Sequence, residues 1–594
     1  MSQSGSPCHS SLAPVPEENS AEENSFETPT GFSASAPRPG RTSVTGPSVL
    51  QIGGQSQAPT QYLFRHCGAF VNNIECLEPV VNWSPFTRCA RHTLPENVWP
   101  ELNPSFKADI LSASQSKISL GLAYNREVNP LILKTMGVDI KPIKMDEQYS
   151  SCTVLQYAAD DILIVAAARS PVGKFRGGLA KLEAHEIGTQ VLASLLSRTL
   201  KHPVPGTRAC VTSPEDVKKL DQAPAKDQVT VWMEEHLDCV IMGQVFTAGC
   251  GQNPVRQAAT GAGVPFEVPS WGVNMLCGSG LLAVGLAYDR LRLQKGRGFA
   301  IAGGQESMTK ARNLLEKPLS KESLQQENPI DSMIKDGLTD AFCGLHMGHT
   351  AENIALKYGL SREDQDLYAI NSQNKYQAAK GAGKFDAEMV QISIPGAERV
   401  AADEHPRAMG ADAPEKLGAL KAAFARDGFT NSVTAANSSG INDGAAALFL
   451  ARQDALVNLP QLVKENAELC RIVGFEQVGC HPETMGLGPI YAVKRLLKSI
   501  NWDLDSVHRF ELNEAFAAQS LAVVKELGVD QQRVNVNGGA IAIGHPLGCS
   551  GARILVSLVH ELARIRSTVD APVRGVAALC VGGGMGIALA VEKL

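Results

Sequence analysis

From Asp161 onward, short continuous apolar runs alternate with longer segments whose apolar residues return every three or four positions. Ile162-Leu163-Ile164-Val165-Ala166 is the first such run, the pattern of a strand buried on both faces. Strands are expected likewise at 238–243, 268–275, 298–302, 471–475, 507–511 and 576–579, and helices at 184–198, 279–294, 361–379, 484–499, 515–527 and 549–565. Ser361, with Asp364 three residues on, gives one helix a start signal. This alternation predicts α/β architecture with mainly parallel or mixed sheets. Two stretches interrupt it. Residues 201–230 are polar and carry Pro203, Pro205, Pro214 and Pro224, which marks a surface insertion. Residues 304 to about 430 are longer than an ordinary connection and predict a subdomain.

A faint internal echo sets Val273-Asn274 with Cys277-Gly278-Ser279-Gly280 beside Val536-Asn537 with Cys549-Ser550-Gly551, as two similar halves would if each placed a loop at a helix start. Before residue 161 the rhythm lapses. Residues 1–60 are rich in Ser, Pro, Gly and Glu without periodic apolar positions, the composition of a disordered extension. Residues 61–160 differ. They contain Phe64, Phe70, Trp83, Phe86, Trp99 and an apolar stretch from Leu131 to Ile140, enough for something there to fold or dock.

Composition narrows the classes. The 594 residues are 44% hydrophobic and 20% charged, with a net charge of −6, so nothing global points to nucleic acid or an anionic membrane. Fourteen cysteines in so long a chain do not make a disulfide scaffold. No run of about 18 apolar residues predicts a membrane span. Glu17, Glu18, Glu22, Glu23 and Glu27 precede the first basic residue, Arg38, which argues against a mitochondrial transit peptide, and the final Glu592-Lys593-Leu594 is a weak peroxisomal address. The cytosol is the default expectation.

Four segments carry candidate chemistry. In Val273-Asn274-Met275-Leu276-Cys277-Gly278-Ser279-Gly280 a cysteine lies between a strand end and an apolar helix. Unpaired N–H groups and the helix dipole there favour the nucleophilic thiolate, although a small buried cysteine is the plain alternative. In Asn537-Gly538-Gly539-Ala540-Ile541-Ala542-Ile543-Gly544-His545-Pro546 a rigid glycine turn orients His545 as a proton acceptor, or simply satisfies it on backbone. Leu579-Cys580-Val581-Gly582-Gly583-Gly584 delivers a second cysteine into a turn whose N–H groups suit an oxyanion, a phosphate or a tight bend. Asn513, in Glu511-Leu512-Asn513-Glu514-Ala515-Phe516, either orients a water, donates to an oxyanion or caps a helix.

In this order the four segments, together with Val165 to Gly178 and Gly303-Gly304-Gln305-Glu306-Ser307-Met308, resemble the thiolase family throughout residues 161–594. The resemblance implies that Cys277 is the acylated nucleophile, that His545 activates it, and that Cys580 removes or returns the α-proton of the second substrate. It implies one oxyanion hole from His545 and Asn513, the latter through a water, and another from the N–H groups of Cys277 and Gly582. The implied α/β thiolase fold has two similar five-stranded layers stacked in one core, residues 161–450 with an inserted loop domain near 304–430, and residues 451–594. Coenzyme A is then a substrate, the kinetics are ping-pong, and catalysis needs no metal or redox cofactor.

Met333 to Gly348 further resembles the biosynthetic acetoacetyl-CoA thiolases. By that likeness Met347 and Met485 border a short acyl group, His346 and Ser439 lie along the pantetheine, and Arg407 approaches the nucleotide of CoA. The expected reaction joins two acetyl-CoA into acetoacetyl-CoA and CoA. A degradative 3-ketoacyl-CoA thiolase is the alternative within the fold, a decarboxylating ketoacyl synthase is disfavoured by Cys580, and an inactive scaffold is the alternative of another class. Residues 311–330 stand where the subgroup carries a tetramerisation loop, so a homotetramer or homodimer is expected. Residues 201–230 are extra relative to the family. In the extension, Cys67, Cys76, Cys89 and His92 resemble the ligands of small Cys-Cys-Cys-His zinc modules that act as interaction domains. A cysteine loop that happens to end near a histidine is the competing reading. If zinc is bound, residues 1–160 dock a protein partner. Sparse basic side chains leave a nucleic-acid role unsupported.

Overall fold

The computed structural model describes residues 158–200, 226–293, 297–315, 328–459, 470–569 and 571–594, together with four short strands between residues 64 and 81. Contacts divide the chain into residues 1–120 and 121–594. In the first unit Phe64–His66 pairs antiparallel with Pro79–Val81, and Phe70–Val71 with Ile74–Glu75. Cys67, Cys76, Cys89 and His92 lie outside the described residues, as do the expected disordered segment and most of the 201–230 insertion.

The second unit is built on nine principal strands: β1 (Ile162–Arg169), β2 (Leu237–Gly243), β3 (Ser270–Val273), β4 (Phe299–Ser307), β5 (Asn442–Arg452), β6 (Cys470–Gly479), β7 (Arg509–Leu512), β8 (Val573–Val581) and β9 (Met585–Lys593). They hydrogen-bond in the order β7-β8-β9-β6-β1-β5-β4-β2-β3. Numbered within its own half, the first half runs third, second, fourth, fifth, first. The second half repeats that order, with the parallel bridge Phe510↔Val534 standing where β3 stands in the first. The expected pair of layers is therefore present, and the two first strands join them: β1 and β6 pair antiparallel from Cys470↔Ile164 to Ile472↔Ile162.

Strand alternation explains the layering. Along β5, Ala446, Leu448 and Leu450 face a central apolar cluster, while Ala445, Ala447, Phe449 and Ala451 face an outer one. The central cluster holds two helices, α4 (Ser279–Leu293) and α9 (Leu547–Arg566), between the halves. Outer faces are covered by α1 (Ala184–Leu200) and α3 (Pro254–Gly261) on one side, and by α7 (Gly488–Ser499) and α8 (Ala517–Leu527) on the other. Helix α2 (Gln228–His236), N-capped by Asp227, runs straight into β2, so the end of the proline-rich stretch is helical. Between β4 and β5 come α5 (Met347–Tyr358) and α6 (Arg362–Gly381), the latter started by a reciprocal Ser361–Asp364 capping box. Among the described residues no helix is long and apolar enough to cross a membrane.

Two glycines let the central helices cross closely. A Cβ on Gly551 of α9 would stand 2.3 Å from the Leu281 nitrogen, and one on Gly280 of α4 would stand 2.8 Å from the Ala552 nitrogen. The two segments of the sequence echo thus meet at the crossing of the central helices.

Candidate active site

The turn from β3 to α4 is strained. Leu276 sits at φ +47°, a left-handed conformation that a branched residue rarely adopts. Three contacts hold it there: its N–H donates to Asn274 Oδ1 at 2.9 Å, the Met275 N–H donates to Ser279 Oγ at 2.8 Å, and that hydroxyl donates to the Leu276 carbonyl at 2.6 Å. Cys277 follows, with its own N–H and that of Gly582 facing its sulfur. Burial of the sulfur nevertheless pushes the thiol up to about 11, against those two N–H groups, and the Glu306 carboxylate adds to the rise. The thiolate expected from the helix terminus is therefore not the resting form, because desolvation outweighs the dipole and the attacking sulfur must give up a proton.

His545 sits on a turn in which Gly544 adopts φ +115° and a Cβ would fall 2.5 Å from the Asn442 side chain. Its N–H donates to Asn442 Oδ1 at 3.0 Å. Ser550 Oγ lies 2.6 Å from Nδ1 and donates to the Pro546 carbonyl at 2.8 Å. With the hydroxyl proton committed there, Nδ1–H donates to Ser550 and Nε2 is left as the acceptor. Burial, reinforced by Arg553, pulls His545 down to about 3, so the imidazole is neutral at pH 7. Asn513 Nδ2 is 3.4 Å from Nε2, and its buried Oδ1 has no partner among the described residues. Leu547, two residues beyond His545, packs with Cys277 in one apolar cluster.

Cys580, one residue before the end of β8, is fully buried, and burial together with the neighbouring Cys277 raises its thiol well above the ordinary range. Met347, Met485, Phe516 and Cys580 share one cluster. His346 caps α5 by accepting the Gly348 N–H at 3.1 Å and stacks on Phe424 at 4.7 Å. The Ser439 N–H donates to the Ala515 carbonyl at 3.0 Å, which puts its segment beside the Asn513 loop. Arg407 stands apart, lining a cavity of ≈ 180 Å³ with Gln373, His405, Lys416 and Ile541. The His405 ring packs against Gly440, next to Ser439.

Sequence reasoning missed Ser550, Asn442, Phe424 and the bridging role of Glu306. Ser550 stood in the echo and Glu306 in a quoted motif, but Ser550 meets His545 only because the turn between them folds back, and the partners of Glu306 lie 60 residues or more away in the chain, so neither leaves a local signal. Glu306 accepts N–H groups of Val245 at 2.9 Å, Phe246 at 3.2 Å and Gly548 at 2.9 Å, and so ties the loop after β2 to the start of α9. Among the described residues no group of His, Cys, Asp or Glu is arranged to hold a metal ion.

Comparison with known proteins agrees with this fold. Residues 225–454 match the thiolase N-terminal domain and residues 466–593 the thiolase C-terminal domain. The cytosolic acetyl-CoA acetyltransferase of Mus musculus is 44% identical over 439 residues, 73% of this chain and 99% of that protein. The acetyl-CoA acetyltransferase of Cupriavidus necator is 45% identical over 442 residues, covering 73% of this chain and 99% of the relative. The crystal structure of the Bacillus anthracis acetyl-CoA acetyltransferase superposes with a TM-score of 0.61 at 36% identity, covering 73% of this chain and 99% of that one. Human mitochondrial 3-ketoacyl-CoA thiolase gives 0.61 at 34% identity, covering 74% and 100%. Relatives matched over nearly their whole length, through both halves of the doubled core, place this chain in the thiolase family.

Proposed function

We propose that this protein is an acetyl-CoA C-acetyltransferase, which joins two acetyl-CoA reversibly into acetoacetyl-CoA and CoA. The observation that carries the reading is the burial of Cys580 beside Cys277, with Met347 and Met485 packed around it. Cys277 passes its proton to His545 Nε2 as its sulfur attacks the thioester carbonyl. The departing CoA sulfur takes the Cys580 proton, which leaves acetyl-Cys277 and a Cys580 thiolate. That order follows from burial, since Cys580 is a thiol at rest. The Cys580 thiolate then removes the α-proton of a second acetyl-CoA. Its enolate oxygen is met by Asn513, through a water, and by His545. Attack on acetyl-Cys277 releases acetoacetyl-CoA, and the Cys277 sulfur recovers the proton from His545. The N–H groups of Cys277 and Gly582 serve the other oxyanion. His346 and Ser439 flank the pantetheine, and Arg407 takes the nucleotide end. A homodimer or homotetramer acting in the cytosol fits the same reading.

Incubation with acetyl-labelled acetyl-CoA, followed by intact mass and peptide mapping, is expected to give an adduct on Cys277, with cleavage strongest for the four-carbon 3-ketoacyl-CoA. Equal or better cleavage of longer substrates would move the protein to the degradative class. Folded protein that forms no adduct would leave the scaffold reading. Cys580→Ser should still form the adduct yet lose condensation by about 10²- to 10⁴-fold.

A further inference from the structure

Helix α5 and the turn Pro482–Leu487 each bring a methionine to the cluster around Cys580: Met347 from the helix, Met485 from the turn. A Cβ on Gly582, whose N–H faces the Cys277 sulfur, would stand 3.8 Å from the Met347 sulfur. The spacing of the two methionines therefore decides how much room an acyl group has beside the reacting sulfurs. The Met485 turn is broken in its middle, because Thr484 leaves helical geometry at φ −130° and ψ 35°. Its shape depends on contacts from other elements.

Helix α5 supplies two of those contacts, one on either side of Met485. Asn353 Nδ2 donates to the Glu483 carbonyl at 2.8 Å. Its neighbour Ile354 packs on Gly486, where a Cβ would stand 2.6 Å from the Ile354 side chain. The helix that carries Met347 thus also grips the turn that carries Met485.

The Asn353 amide has one orientation. Arg426 Nη2 donates to Asn353 Oδ1 at 2.6 Å. A guanidinium only donates and a carbonyl only accepts, so the amide oxygen must face Arg426 and the nitrogen must face Glu483. Arg426 is itself fixed. The same Nη2 reaches the His349 carbonyl at 3.0 Å, its backbone N–H donates to Asn431 Oδ1 at 2.7 Å, and its guanidinium lies 3.7 Å from the centre of the Phe429 ring. Phe424, two residues earlier, closes on Gly348 at the start of α5 and leaves no room there for a Cβ. A chain of contacts therefore runs from residues 424–431 through α5 to the Met485 turn.

We propose that Asn353, oriented by Arg426, is a positioning residue that limits the length of the acyl group: it holds the Met485 turn against α5 and so keeps Met485 close to Met347. The inference rests on the proposed reading of these methionines as the border of a short acyl group, and it names what holds that border in place. Asn353 acts through Met485 rather than on substrate.

The test compares kcat/KM for thiolysis of acetoacetyl-CoA with that for the six-carbon 3-ketoacyl-CoA, on the full chain. Asn353→Asp keeps the shape and the acceptor for Arg426, but turns an oxygen toward the Glu483 carbonyl, so attraction becomes repulsion. The six-carbon to four-carbon ratio should rise about ten-fold. Arg426→Met frees the amide to turn over, and the ratio should move the same way by about two- to five-fold. Ser361→Ala, which weakens the cap of the next helix, should leave the ratio at the wild-type value; a rise there as large as in Asn353→Asp would overturn the proposal, since loss of stability alone would then shift the ratio. An unchanged or lowered ratio in Asn353→Asp, equal loss on both substrates included, would also overturn it. If Asn353→Asp does not fold, the ratio in Arg426→Met decides alone. A wild type that already prefers the six-carbon substrate would overturn the underlying acyl-border reading instead.

Discussion

At the scale of single residues the proposed catalytic groups combine placement with the protonation state that burial imposes. Cys277 and Cys580 are thiols and His545 a neutral base at pH 7, each because its charged form is desolvated. Ser550 then decides which imidazole nitrogen is available. Ser550→Ala removes the acceptor of Nδ1–H, so the ring loses both its tautomer bias and its orientation. The expected result is a fall in kcat of about ten- to a hundred-fold with KM little changed, measured on acetoacetyl-CoA thiolysis. An unchanged kcat would show that the turn alone orients His545. Cys277, His545 and Cys580 were legible in the sequence as candidates, because glycines crowd all three, but their resting protonation and the part played by Ser550 were not. Nor was the burial of Arg553. One arginine in an apolar helix reads as a side chain that reaches solvent, and only the packing of α9 between two sheet halves closes that route.

At the scale of elements the site depends on how closely α4 and α9 cross, since α4 follows Cys277 and α9 follows His545. Gly551 has no room for a methyl group against the backbone of α4. Gly551→Ala should therefore separate the helices, destabilise the protein by about 3 kcal/mol or more in urea unfolding, and lower activity even in the folded fraction. Full activity in the folded fraction would show that the crossing does not set the cysteine–histidine geometry. The capping box makes a milder prediction: Ser361→Ala should cost about 1 kcal/mol by the same measurement and leave kcat unchanged, since α6 begins far along the chain from the reacting groups. That helix was readable from its cap. Strand β5 was not. Its Gly444-Ala445-Ala446-Ala447-Leu448-Phe449-Leu450-Ala451 run has no β-branched residue and favours helix by propensity. It is a central strand because small side chains on both faces let helices approach from either side, a tertiary advantage that no local window contains.

At the scale of the whole molecule the two halves are joined by more than the β1–β6 pairing. Glu306, on β4 of the first half, accepts the Gly548 N–H of the second, so one carboxylate spans the joint beside Cys277. Burial raises it from 4.5 to about 7, against the three N–H groups that favour its ionised form. The fold therefore retains a proton that the unfolded chain has lost between those two pH values. Stability from this group is fully present below pH 4.5 and is lost as pH rises through 7. Glu306→Gln removes the titration and keeps the shape, so the difference between wild type and variant isolates it from every other ionisable group. Between pH 5 and pH 8 the wild type should lose about 2 kcal/mol of stability relative to the variant, read from paired urea unfolding curves. The opposite drift, wild type gaining on the variant as pH rises, would mean that the three N–H groups outweigh desolvation. The joint would then be held by a charged carboxylate at every pH where the protein works.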